Sequence, residues 1–181
     1  MKWVASTLWD LLSPGPKPVV PRSETIAESI RRRPLATAAP APPRRRRSMQ
    51  ERYDALVEEM KNRYQVRVRK WRSSSSGVAW SIRYRGGKEV KLIESPYPRG
   101  PMSCAIFMHE IGHHAIGLGV HRPRCLEEYH VWVWALREMR ERGFNVTPAV
   151  EKRMHDSLKY AVRKARRRGL QSLPAELRAY T

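Results

Sequence analysis

The chain has 181 residues, enough for one domain of about 100–150 residues plus tails, and 36 Lys+Arg against 17 Asp+Glu give a net charge of +19. Two cysteines exclude a disulfide framework and a C-x-x-C metal knuckle. No apolar run reaches the roughly 18–20 residues of a membrane-spanning helix. The charge is spread as +7 over residues 1–48, +6 over 49–147 and +6 over 148–181. Such a chain is expected to bind polyanions, nucleic acid above all, at low salt, with solubility as the competing use of the same arginines.

Residues 1–13 read as a short amphipathic segment, since Asp10 interrupts the apolar part that a secretory signal would need. Residues 14–47 hold 8 prolines and 8 arginines, ending in Arg44–Arg47. That composition buries too little apolar surface to offset ordering and predicts a disordered basic linker, with a brief helix allowed over 23–33. From Ser48 the pattern turns globular: a domain over 48–147, then a basic C-terminal helix and tail over 148–181. Tyr53, Leu56, Val57, Met60 and Tyr64 recur at helical spacing and predict a helix over 49–63. Tyr64, Val66 and Val68, then Val78, Trp80, Ile82 and Tyr84, alternate with polar residues and predict two strands with those side chains buried. Val90 and Leu92 supply the apolar face of a third strand. Parity favours a three-residue hairpin loop, Gly86-Gly87-Lys88, pairing Tyr84 with Val90 and Ile82 with Leu92. The third strand, 89–93, is expected to be the sheet edge on which an extended substrate pairs. Helices follow near 102–117, near 126–142, and from Pro148 (Thr147 as cap) to about Gly169. The fold class is therefore α+β.

The helix near 102–117 carries His109-Glu110-Ile111-Gly112-His113, an H-E-x-x-H motif. Residues four apart share a helix face, so His109 and His113 can offer two imidazoles to one ion. Glu110 is then placed to act as general base on water rather than as a ligand. A catalytic zinc site needs a third protein ligand. Glu128, at the start of the next helix, is the first choice, Glu127 the second, with His121 and His130 behind. The competing use of Glu127 and Glu128 is simple complementarity to a helix N-terminus. His114 points about 100° away from His113 and is expected to face solvent or support the site from outside. Cys104 and Cys125 read as buried small hydrophobes in a reducing compartment, with Cys125 a remote ligand candidate. Trp132 and Trp134 read as core. His130, His155 and Tyr160 are candidates for a second oxyanion partner.

A small helix, a hairpin-containing sheet, H-E-I-G-H-H and a helix opening Glu127-Glu128 resemble the minimal gluzincins of the ImmA/IrrE type over roughly residues 49–143. In Glu128-Tyr129-His130-Val131-Trp132-Val133, Glu128 falls at that family's ligand place and Trp132 at its aromatic place. Tyr129 stands where the family has a small residue, the interval between His113 and the Glu pair is short, and the family's helix-turn-helix partner is not evident. The resemblance implies a zincin-like fold and a zinc peptidase with Glu110 catalytic and His109, His113 and Glu128 on Zn2+. A second resemblance, to SprT-like DNA-associated metalloproteases, implies a third histidine ligand, His121 or His130. The expected substrate is a protein or peptide, with nucleic-acid-associated proteins as the candidate class. The expected setting is the cytoplasm, on nucleic acid or in a virion, with a phage or mobile element as the source. The rival expectation is a non-catalytic nucleic-acid-binding or structural protein on a zincin fold.

Overall fold

The computed structural model describes residues 47–181; the expected amphipathic segment at 1–13, the linker and the brief helix at 23–33 lie outside the described residues. Helix α1 spans Met49–Tyr64. It begins at a capping box, with Ser48 Oγ accepting from the Glu51 amide (3.1 Å) and Glu51 Oε2 accepting from the Ser48 amide (2.7 Å). Its Tyr53, Leu56, Val57 and Met60 stripe is buried, as the spacing predicts. Strands β1 (Val66–Trp71), β2 (Val78–Arg83) and β3 (Glu89–Ser95) follow. Then come α2 (Pro101–Ile116), α3 (Arg124–Glu141), α4 (Pro148–Arg167) and a 3₁₀ turn over Ala175–Tyr180. Thr147 caps α4 with Pro148 in its first turn. The described residues thus form an α+β unit with a three-stranded sheet.

The sheet departs from the sequence expectation in three ways. Its order is β1-β3-β2, with β3 parallel to β1 and antiparallel to β2. β3 is therefore central and offers no edge to a substrate. The free edge nearest α2 belongs to β2. Side-chain alternation reports which face a residue takes, not which strand lies beside it, so this order was not readable. Second, the hairpin pairs Ile82 with Val90 and Trp80 with Leu92, two residues from the expected register. The loop is Arg85-Gly86-Gly87, closed by Tyr84 N–H to Lys88 O and Gly87 N–H to Tyr84 O, both 2.9 Å. Gly87, at φ +80°, takes the left-handed position that such a three-residue loop requires. Moving the glycine to that position sets the register while keeping apolar side chains opposite one another. Third, Val78, Ile82 and Tyr84 are exposed, and Trp80 is only half-buried. The face turned to the core carries Ala79 and the fully buried Ile93. On β2 the small Ala79 lets α2 lie close, and the larger Val78 and Ile82, with Tyr84 just beyond the strand, take the outer face.

Eleven consecutive residues of α2, Cys104 to His114, are buried, so the motif helix runs through the centre of the unit. Its own Phe107, Met108 and Ile111 are fully buried, as are Met60, Ile93, Met139, Leu158 and Leu177 from the surrounding elements. Each contributes on the order of 1.5–3 kcal/mol by leaving water. α4 belongs to the same core through Val150, Leu158 and Val162. Among the described residues, no helix is long and apolar enough to cross a membrane.

Candidate metal centre

Helices α2 and α3 cross closely because position 112 is glycine. A Cβ there would stand 2.9 Å from the Trp134 ring and 3.0 Å from Val131 Cγ1. This crossing brings the start of α3 against the middle of α2. His109 Nε2 lies 3.2 Å from Glu128 Oε2, and His113 Nε2 lies 3.8 Å from the same oxygen. Donor atoms of His109, His113 and Glu128 all fall within 4.8 Å of one another. An ion about 2.0–2.1 Å from each of three tetrahedral donors would set them about 3.4 Å apart, so the three groups fit a small metal ion with little movement. Glu128 is held from outside by Arg124, whose Nε donates to Glu128 Oε1 at 3.1 Å. Burial pushes the Glu128 carboxyl up, but the His109 hydrogen bond and the His109, His113 and Arg124 charges outweigh it. The group sits well below its ordinary range and is a carboxylate.

Glu127 points the other way and does not join the donor set. It is fully buried, with Oε1 2.9 Å from His113 Nδ1 and Oε2 accepting from the Gly119 amide at 2.8 Å. A carboxylate on Nδ1 makes that nitrogen the donor and leaves Nε2 as the lone pair facing the other two ligands. Burial lowers the His113 pKa to about 4, with the neighbouring His109 charge acting the same way, so the ring is neutral near pH 7. The His109 ring lies against Trp132, 4.5 Å between centroids, and is edge-on to His113. Trp132 is core, as expected, and is also a wall of the site.

Glu110 sits beside this cluster, 5% exposed. Burial pushes its carboxyl up to about 7; the His109 charge opposes that shift and the Glu128 charge adds to it. The loop before β2 closes over it, and a Cβ on Gly77 would collide with the Glu110 carboxylate. The loop is pinned on two sides. Arg72 joins Glu94 (Nε to Oε2, 3.0 Å) to Ser76 (NH1 to Oγ, 3.2 Å), and Arg153 donates to the Ser75 carbonyl at 2.9 Å.

The remaining candidates lie elsewhere. His114 is buried rather than solvent-facing, with Nε2 3.0 Å from the Leu92 carbonyl, because the sheet covers that side of α2. It ties the motif helix to β3. His121 and His130 stack on each other, centroids 4.2 Å apart, and are not in the donor group. His155 packs on Tyr180. Cys104 and Cys125 are buried free thiols, and burial pushes Cys104 up to about 12. Tyr160 lines the cleft described next.

His109, Glu110 and Glu128 line one end of an open cleft of about 1090 Å³ whose far wall is α4. Glu127's orienting role, the Gly77 lid and this wall were not legible in the sequence. Only the Glu127-Glu128 pair carried a signal, and it did not say which carboxylate turned inward to which atom. Comparison of the chain with protein-family models, with curated proteins and with solved structures gives no match.

Proposed function

We propose that this chain is a zinc-dependent peptidase of the minimal gluzincin kind. The observation that carries the proposal is a buried Glu110 next to a His109–His113–Glu128 donor set at the end of a large cleft. Two imidazoles and one carboxylate form a donor set suited to zinc. When bound, zinc supplies Lewis-acid activation of water and of the peptide carbonyl. Glu110 takes the proton of the attacking water and returns it to the leaving nitrogen. Glu127 holds His113 in the tautomer that offers Nε2. An extended substrate pairs on the free edge of β2, where Ala79 and Ser81 direct their backbone groups away from β3. This replaces β3 in the role first expected for it. The net charge of +19 supports a substrate held on nucleic acid.

The test is metal analysis of the wild-type protein and Glu110→Gln, with hydrolysis of a peptide mixture by each. One equivalent of zinc in both proteins is expected, with cleavage falling about 10²–10⁴-fold in the variant. Protein that takes up no zinc and cleaves nothing, yet binds DNA, would overturn the proposal in favour of a non-catalytic nucleic-acid-binding protein.

A further inference from the structure

The cleft is electrostatically two-sided. Glu110 and Glu128 stand at the metal end, where Arg124 is taken up by Glu128 (3.1 Å). On the α4 wall the one carboxylate among the described residues, Asp156, is held by Lys152 at 2.6 Å. There α4 and its C-cap present Arg153, Ser157, Tyr160, Lys164 and Arg168. These positions are three, four or seven residues apart and form one stripe along the helix. The three cations have no carboxylate partner among the described residues: Arg153 donates to the Ser75 carbonyl, Lys164 rests 5.8 Å from the Tyr160 ring centre, and Arg168 makes no ion pair. Arg153 Nε is in addition a buried donor with no partner. Buried donors left open in this way are uncommon, and Arg153 is one of the residues that line the cleft.

We infer that the cleft takes acidic peptide segments: carboxylates of the substrate, on one side of the bond at the metal centre, pair with Arg153, Lys164 and Arg168. The inference rests on the peptidase reading for what happens at the metal end, and adds the substrate class. Arg153 is the proximal cation, because its partner Ser75 precedes the Ser76-Gly77 pair that covers Glu110. Lys164 is eleven residues further along α4, about 16 Å at 1.5 Å per residue. That distance is about five residues of extended peptide at ~3.3 Å each. The acidic positions are therefore spread over several residues rather than confined to one pocket. A nucleic acid fits less well. Its backbone carries a charge at every nucleotide and would meet Glu110 and Glu128, whereas a peptide can place neutral amides there and carboxylates along α4.

The decisive measurement uses full-length Glu110→Gln protein and three fluorescent dodecapeptides: one rich in Glu and Asp, its Gln/Asn counterpart, and a Lys-rich one. At about 150 mM salt, the acidic peptide is expected to bind about ten-fold tighter than the amide version, the combined effect of two or three exposed ion pairs. Lys164→Ala/Arg168→Ala should remove most of that preference, leaving the part that Arg153 supplies. Arg163→Ala/Arg167→Ala, which removes equal charge outside the cleft, should leave it in place. Equal affinity for acid and amide peptides, or equal loss in both double variants, overturns the inference. So does an oligo-dT of matched charge that binds more tightly than the acidic peptide and loses that binding in Lys164→Ala/Arg168→Ala. The two proposals fail separately. Acidic preference in binding without hydrolysis by wild-type protein removes the peptidase reading and leaves the cleft assignment. Hydrolysis of acidic and amide peptides at equal kcat/KM does the reverse.

Discussion

Glu127 and Glu128 are neighbours in sequence with opposite tasks. Glu128 faces the histidine Nε2 atoms, and Glu127 turns beneath them to His113 Nδ1 and the Gly119 amide. The Glu-Glu pair at a helix start was visible in the sequence, as was the expectation that one of the two returns to the motif helix. Which one does so depends on how α3 is rotated against α2, and residues adjacent on a helix differ by about 100°. The arrangement makes a sharp prediction for Glu127→Ala. It leaves the His113 Nδ1–H and the Gly119 N–H without their acceptor, at about 1–3 kcal/mol for each group that stays dry. It also releases the ring that presents Nε2. Zinc affinity should fall about 10–100-fold, measured by competition with a chromophoric chelator. Unchanged affinity would mean that packing alone, Trp132 and His109 included, orients His113.

At the scale of elements, the helices and the three strands were legible, and the order, hairpin register and buried face of the sheet were not. Tyr53, Leu56, Val57 and Met60 reveal α1 because a helix buries one stripe of its own sequence. Strand order depends on distant partners. β1 and β2 are separated by a short loop yet lie on opposite sides of β3. The buried face of β2 is set by how near α2 comes, which selects Ala79 over Trp80 and Ile82. That approach in turn depends on α2 being able to pack tightly on α3 as well. Gly112, an unspecified position of the H-E-x-x-H motif, is what allows it. Gly112→Ala would gain helix propensity, worth up to about 1 kcal/mol. Its Cβ would, however, meet Trp134 and Val131 at 2.9 and 3.0 Å, and overpacking of this kind costs about 1–3 kcal/mol. The steric cost should win. A lower midpoint in urea with an unchanged slope is expected, together with weaker zinc binding, because the histidines and Glu128 sit on the two helices being separated. A variant at least as stable as wild type would show that α3 can shift freely, and the donor geometry would then not depend on this crossing.

For the whole molecule, charge is the property that the fold leaves least constrained. Residues 47–181 carry 27 basic and 14 acidic side chains, so the excess is not confined to the tails. α4 displays it on two faces. Arg153, Lys164 and Arg168 line the cleft, while Arg163, Arg166 and Arg167 are exposed outside it. A surface of this kind attracts polyanions irrespective of the chemistry at the metal end, and salt dependence separates the two activities. If the chain makes about six phosphate contacts on duplex DNA, its affinity should fall about 10³-fold between 50 and 200 mM salt. Arg163→Ala/Arg167→Ala should make the slope of log K against log salt shallower by about two, one per contact removed. The same pair should leave acidic-peptide preference intact, whereas Lys164→Ala/Arg168→Ala should remove most of it. A double variant that altered both properties equally would mean that the cleft and the outer face act as one diffuse cationic surface. A slope unchanged by Arg163→Ala/Arg167→Ala would move the DNA contacts off the outer face of α4 and onto other basic residues of the chain.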